Sequence, residues 1–190
     1  MAGITGIMGC LIELNEGLLV WYRLLLTAGS MWVLFSIRKK LQRISSRDML
    51  KLSGIGLLAA LHWVCFYGSV KYTNVSVALV CFSSTGFFTA LFEPLFYSKK
   101  INLFEVFCGL LAIGGIYIIF HFDTRYETGI TLGVSCAILL AITMILLRQF
   151  TQRINSETIL TYQLTGGFLA LTLIMPVYFH LFPTNPSFLL

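Results

Sequence analysis

Six continuous apolar runs, each long enough to cross a lipid bilayer as a helix, constrain the fold of this chain more than any other feature. A hydrocarbon core about 30 Å thick needs about 20 residues at a rise of about 1.5 Å per residue. The runs do not alternate in polarity, so they predict helices rather than the strands of a membrane barrel. The six runs cover residues 17–37, 52–72, 74–97, 102–121, 129–148 and 158–181.

A seventh apolar run, residues 1–12, is too short to span the bilayer. A helix of that length reaches only about 18 Å, and the run lacks the basic start and the cleavage site of a signal peptide. We therefore expect the outer half of a helix whose beginning is cut. The predicted fold class is an all-α, polytopic transmembrane helix bundle with about six full helices and a partial N-terminal helix.

The composition excludes several classes of protein. Charged residues make up only 11% of the chain and apolar residues 57%, whereas a soluble domain usually has about 25% charged residues. This excludes a soluble enzyme, a disordered protein and a nucleic-acid binder, and it predicts contact with the lipid bilayer. The five cysteines lie in apolar stretches without a C-x-x-C pair, so we expect packing residues and no metal site or disulfide framework.

The positive charges predict how the chain is oriented in the membrane. Of the 13 Lys and Arg residues, ten lie in or beside three alternate connections, 38–51, 98–101 and 149–157, and only two lie in the opposite connections. Positive charge accumulates on the cytoplasmic side of membrane proteins, so these three loops should be cytoplasmic in a multi-pass protein of the cell membrane. The basic balance is thus interpreted as a topology signal and not as an anion-binding patch.

Polar residues near the middle of the runs are the candidate cavity residues. Thr27, His62 and the stretch Ser83-Ser84-Thr85 each lie about ten residues into their runs, which places them near the midplane. Transporters bind substrates at this level, often where a helix is locally unwound. The alternative is ordinary packing, because hydroxyls and small residues also line helix interfaces and a histidine can be satisfied within a packed bundle.

Two charged residues within the runs, Arg23 and Glu93, are candidates for a gate or a charge partner. Structural pairing or an interfacial position is the alternative for each. The chain has no H-E-x-x-H, G-x-S-x-G or Walker motif, and its acids and histidines are scattered, so we expect no enzyme activity.

Several segments resemble the EamA-type permeases of the drug/metabolite transporter superfamily. They occur in the order expected for that family and cover almost the whole chain. The resemblance is carried by LVWYR at 19–23, FYGSVKYTNVSVA at 66–78, GLLAIGGIYII at 109–119 and the G-x-x-x-G of Gly129 and Gly133.

The resemblance implies ten helices in two inverted five-helix repeats. Residues 1–121 would form the first repeat with an incomplete first helix, and 129–190 would begin an incomplete second one. It also implies a secondary transporter that exports or imports a small metabolite by alternating access and needs no cofactor. A homodimer, in which two chains supply each other's missing wall, is a separate possibility. A non-transporting membrane fragment or interaction protein derived from such a transporter is the alternative function.

Overall fold

The regular secondary structure of the described residues, 16–39, 41–97, 102–122 and 126–181 of a computed structural model, is entirely α-helical. This confirms the predicted all-α class. The predicted partial helix at 1–12 lies outside the described residues. The helices are α1 (Glu16–Ile37), α2 (Ser46–Tyr72), α3 (Val75–Ser83), α4 (Thr85–Tyr97), α5 (Leu103–Phe122), α6 (Glu127–Thr151) and α7 (Ser156–Leu181).

Five spans in the described residues are long and apolar enough to cross a membrane. They are Glu16–Ile37, Ser46–Tyr72, Val75–Tyr97, Glu127–Thr151 and Ser156–Val177. The span Val75–Tyr97 contains both α3 and α4, and the remaining predicted run forms the 20-residue helix α5. The polytopic bundle predicted from hydropathy is therefore confirmed.

Asparagine side chains begin three of these helices. The Val77 backbone N–H donates to Asn74 Oδ1 at 2.9 Å at the start of α3, and the Thr158 N–H donates to Asn155 Oδ1 at 3.1 Å at the start of α7. Asn102 accepts the Phe104 N–H at 3.1 Å in the same way at α5. Each bond satisfies a backbone donor that has no partner within the helix, which fixes where the helix begins.

The chain divides into two compact units. The central unit contains the described residues of Leu61–Ile145, and the terminal unit contains those of Glu13–Ala60 and Leu146–Leu190. Helices α2 and α6 therefore contribute to both units along their length. The predicted repeats at 1–121 and 129–190 stay a prediction, because compactness does not measure sequence repetition.

In the terminal unit, α7 packs against α1 and against α2. The contact with α2 brings two backbones together at glycines: a Cβ added at Gly56 would lie 2.0 Å from the Gln163 carbonyl oxygen, and one added at Gly167 would lie 2.6 Å from the Gly56 oxygen. Only glycine permits this approach, which is typical of membrane helix interfaces. An apolar cluster of buried side chains lies in the same unit and consists of Leu52, Ile55, Phe150, Ile154 and Ile159.

Polar contacts join two connections at one end of the terminal unit. The Gln42 N–H donates to Thr158 Oγ1 at 2.8 Å, and Gln42 Oε1 accepts the Asn155 N–H at 3.3 Å. Arg153 Nη2 donates to Asp48 Oδ1 at 2.8 Å. The connections 38–51 and 149–157 therefore lie at the same end, as the alternation of charge predicts.

In the central unit, α6 packs closely on the end of α2 and on α3. A Cβ at Gly129 would lie 2.3 Å from Thr73 Cγ2, and one at Gly133 would lie 2.6 Å from Cys81 Cβ and 2.9 Å from Ser69 Oγ. The two glycines thus let three helices approach one another, since any larger side chain would separate them.

Candidate functional site

The span Val75–Tyr97 is interrupted at Ser84, which separates α3 from α4. The Ser84 N–H donates to the Cys81 carbonyl at 3.1 Å, three residues back instead of four. Three neighbouring hydroxyls make the same short-range bond: Ser83 donates to the Val80 carbonyl at 2.7 Å, Ser84 to that of Cys81 at 2.6 Å and Thr85 to that of Phe82 at 2.6 Å. Hydroxyls that compete for helix carbonyls disturb the regular ladder, so this stretch forms a local break.

A cavity of about 480 Å³ lies beside this break, entirely within the central unit. Its volume is in the range of pockets for small molecules, about 300–1,000 Å³. The described residues that line it come from the end of α3, from α4, from the start of α5 and from α6. They are Ser83, Thr85, Gly86, Phe87, Thr89, Phe104, Glu105, Cys108, Gly109 and Met144.

The wall between α4 and α5 is set by a glycine contact. A Cβ added at Gly109 would lie 2.3 Å from Phe87 Cβ, so the two helices meet here at the closest distance that glycine allows. This contact fixes the position of Phe87. Two residues further along α4, the Thr89 hydroxyl donates to the Thr85 carbonyl at 2.8 Å.

Glu105 is the one carboxylate among the described lining residues. It is exposed in the first turn of α5, where the helix dipole favours a negative charge. Asn102 holds it in place, because Asn102 Nδ2 donates to Glu105 Oε1 at 2.9 Å. Glu105 therefore places a negatively charged hydrogen-bond acceptor at one side of the cavity.

The predicted cavity residues of the central unit separate into two groups. Ser83 and Thr85 line the cavity. Ser84 is 1% exposed and is not a lining residue; its hydroxyl bonds within its own helix. His62 is 5% exposed, with its ring centroid 4.9 Å from that of Trp63, and it is likewise not a lining residue. Glu93 is half-buried on α4, outside the described lining.

Arg23 and Thr27 lie on α1 in the terminal unit, and both are half-buried. The Thr27 hydroxyl donates to the Arg23 carbonyl, one helical turn back. Ser30 then donates to the Thr27 carbonyl at 2.9 Å, which continues the polar stripe of Arg23 and Thr27 along α1. Their roles as cavity lining and as a gate stay predictions.

Half of the lining residues that the sequence analysis missed lie on α5, and the others lie on α4 and α6. Glu105, Cys108 and Gly109 have the spacing i, i+3, i+4, which places them on one face of a helix. That spacing indicates a shared helix face, but Glu105 taken alone is typical of a solvated residue in the first turn of a helix. Phe87, Phe104 and Met144 carried no signal, because large apolar residues occur on every face of a membrane helix.

The described cysteines are all free, and they differ in burial. Cys81 and Cys136 are buried, Cys65 is half-buried and Cys108 is exposed, where it lines the cavity. Within the described ranges, no three His, Cys, Asp or Glu side chains are placed so that they could hold a metal ion. Cys108 is therefore the described cysteine through which a thiol-specific reagent can label this cavity.

Comparison with known proteins decides the family. Residues 1–121 match the EamA-like transporter family. The chain belongs to this family. The match includes α1 to α5 and most of the cavity, and it confirms the resemblance drawn from the motifs between residues 19 and 119. An EamA-like protein with several membrane-spanning helices is a multi-pass membrane protein of a transporter family.

Curated relatives of this EamA-like chain are also named as transporters. It is 27% identical to an uncharacterized transporter of Haemophilus influenzae over 164 residues, which are 80% of this chain and 53% of that protein. It is 27% identical to the uncharacterized transporter YxxF of Bacillus subtilis over 124 residues, 62% of this chain and 40% of that one. The chain spans about half the length of the curated relatives it matches. No solved structure was found to match it.

Proposed function

We propose that this chain acts in a secondary transporter that moves a small metabolite across the cell membrane by alternating access. The observation that carries the proposal is the cavity beside the break at Ser84. The break lies about ten residues into the 23-residue span Val75–Tyr97, or about 15 Å along a helix axis. Secondary transporters bind their substrates near the bilayer midplane, at helices that are interrupted there.

The α3–α4 span also has the means to bend. Three hydroxyls bond back to carbonyls at the break, and Pro94 lies inside α4. Proline cannot donate the usual helix hydrogen bond to the carbonyl four residues earlier, so it creates a second weak point. A span that can bend on either side of Thr85 and Thr89 could open the cavity to one side of the membrane at a time.

Cysteine accessibility tests this proposal. In a cysteine-free variant, Thr89→Cys should react with a membrane-impermeant maleimide in both right-side-out and inside-out vesicles, because an alternating site is open to each side in turn. Thr151→Cys, in an exposed position at the end of α6, is the matched control and should react from one side only. Reaction of Thr89→Cys from a single side would contradict alternating access at this cavity.

A further inference from the structure

We infer that the cavity selects an organic cation, namely a protonated amine attached to an apolar or aromatic body. This inference rests on the proposed transport function, and it names the substrate class of the same site. It follows from which hydrogen-bond donors and acceptors the lining still offers to a ligand.

The three lining hydroxyls offer acceptors and no donors. Ser83 donates to the Val80 carbonyl at 2.7 Å, Thr85 to that of Phe82 at 2.6 Å and Thr89 to that of Thr85 at 2.8 Å. A hydroxyl has one proton and two acceptor lone pairs. Because each proton is already bound to a carbonyl of the same helix, a ligand meets only the lone pairs.

The start of α5 adds an acceptor to the cavity. The Glu105 carboxylate can only accept, and its single described bond, from Asn102 at 2.9 Å, leaves further lone pairs for a ligand. At the same helix start, the Phe104 N–H already donates to Asn102 Oδ1 at 3.1 Å, so this amide is closed to an anion that would otherwise bind at a helix start.

The other side chains that line the cavity also favour a positively charged ligand. The faces of Phe87 and Phe104 carry the negative part of the ring quadrupole, which attracts ammonium groups. Met144 and Cys108 offer polarizable sulfur. No Lys, Arg or His occurs among the described residues that line this cavity. A carboxylate or phosphate would meet lone pairs and ring faces there, whereas an ammonium group finds partners.

The same residues indicate how the ligand lies. The ammonium group belongs near Glu105, and the apolar body belongs against the rings. A volume of about 480 Å³ accommodates an amine with one aromatic ring.

The test uses Cys108 as a reporter in the intact chain, reconstituted in lipid nanodiscs, with Cys10, Cys65, Cys81 and Cys136 replaced by alanine. The rate of maleimide reaction at Cys108 is measured with 2-phenylethylammonium, with the neutral phenylacetamide and with the anionic phenylacetate. The ammonium probe should slow the reaction in a saturable way, and the other two should not at equal concentration. Equal or better protection by phenylacetate, or no protection by any probe, would overturn the inference.

Two glutamate variants test whether Glu105 supplies the negative charge that binds the ammonium probe. Glu105→Gln keeps an acceptor oxygen for Asn102 but loses the charge, so the half-protecting concentration of the ammonium probe should rise about tenfold, as for loss of one charge-assisted hydrogen bond. Glu127→Gln, at another exposed first-turn glutamate, is the matched control and should change nothing. An unchanged value for Glu105→Gln would also overturn the inference. These are binding measurements, so labelling of Thr89→Cys from two sides still judges the transport proposal separately.

Discussion

Two tryptophans of α1 are tied to α7 through threonine hydroxyls. Trp32 Nε1 donates to Thr165 Oγ1 and Trp21 Nε1 donates to Thr172 Oγ1, each at 2.8 Å. Each threonine in turn donates to a carbonyl one turn back on α7, at 2.7 Å for Thr165 and 2.8 Å for Thr172. We call this contact of Trp21 and Trp32 with Thr172 and Thr165 the tryptophan seam. Both of its indole N–H groups have a hydrogen-bond partner, which matters because a polar group without one is costly away from water.

We expect a measurable coupling between Trp32 and Thr165. In a double-mutant cycle of Trp32→Phe and Thr165→Val, the coupling energy should be about 1 kcal/mol, the net value of one such hydrogen bond. Unfolding in mixed detergent micelles measures it. Thr131→Val is the control partner, because the Thr131 hydroxyl is exposed and donates only to the Glu127 carbonyl of its own helix. Additive effects for Trp32 and Thr165 would argue against the bond.

Arg23 and Arg47 should respond differently to loss of charge. Arg23 is half-buried within α1, whereas Arg47 is exposed at the start of α2. Arg23→Leu should therefore lower transport or melting temperature clearly, while Arg47→Leu changes little, as is usual for an exposed surface residue. Both are measured by uptake into proteoliposomes and by thermal unfolding in detergent. Equal, small effects would mean that Arg23 only reaches to the membrane surface.

At the residue level, sequence does not predict the direction in which a side chain points. Counting residues predicts one membrane depth for Ser83, Ser84 and Thr85. Successive helix residues point about 100° apart, however, so one depth contains both lining and buried positions. Ser84 is buried and its two neighbours line the cavity. The direction depends on the exact geometry of the break, which is set by hydrogen bonds that hydropathy does not record.

Helix pairs in the terminal unit depend on backbone contact, which gives the sharpest test at the element level. Gly56→Ala should destabilise the protein by about 1–3 kcal/mol, because the new Cβ would lie 2.0 Å from the Gln163 carbonyl oxygen. Gly54→Ala, two residues earlier, meets nothing within 4 Å, so it should be neutral or stabilise by up to about 1 kcal/mol. Thermal unfolding of both variants decides, and equal stabilities would contradict the close α2–α7 contact.

The break between α3 and α4 should be visible in amide hydrogen exchange. Peptides that cover residues 83–88 should exchange faster than peptides that cover 134–140 in the regular part of α6, because the break disturbs the helix ladder next to a cavity. Mass spectrometry of the protein in nanodiscs measures both. Equal protection would indicate that the span behaves as one continuous helix.

At the element level, the apolar runs predicted the spans but not their interruptions. The run 74–97 has the length of one helix, and hydropathy is uniform across it. The break arises from the bonds of three consecutive hydroxyls, and such residues elsewhere sit in unbroken helices: Thr161 and Thr165 on α7 bond to carbonyls four residues back without interrupting it. Local sequence therefore indicates where a break can occur but does not require one.

For the whole molecule, the distribution of charge predicts a testable topology. Single cysteines at Ser45 and Thr124, in a cysteine-free background, should be labelled from opposite sides of the membrane, with Ser45 cytoplasmic. Impermeant reagents applied to intact cells and to inverted vesicles measure this. Thr151→Cys should behave like Ser45→Cys, because Gln42 and Asn155 join their two connections at one end of the terminal unit. Labelling of Ser45 and Thr124 from the same side would mean that the number of spans between them is wrong.

Helix packing was the part of the whole fold that sequence could not predict. In water, burial and hydrophobicity go together, but in lipid the outer surface is as apolar as the core. Leu52 is 0% exposed and Leu173 is 80% exposed, although both are leucines within predicted spans. The glycines that decide the contacts are equally ambiguous, since Gly54 meets nothing where Gly56 touches backbone. Which face meets protein is fixed by shape, and shape appears only when the helices are placed together.

The tryptophan seam also has an optical consequence. The chain contains three tryptophans, and two of them, Trp21 and Trp32, bond through their indole N–H groups to α7. Replacing Trp63 by phenylalanine leaves all indole fluorescence in this seam. The emission wavelength and quenching of that fluorescence would then follow the separation of α1 and α7 in real time and without an added dye, so that the terminal unit contains its own spectroscopic probe of helix movement.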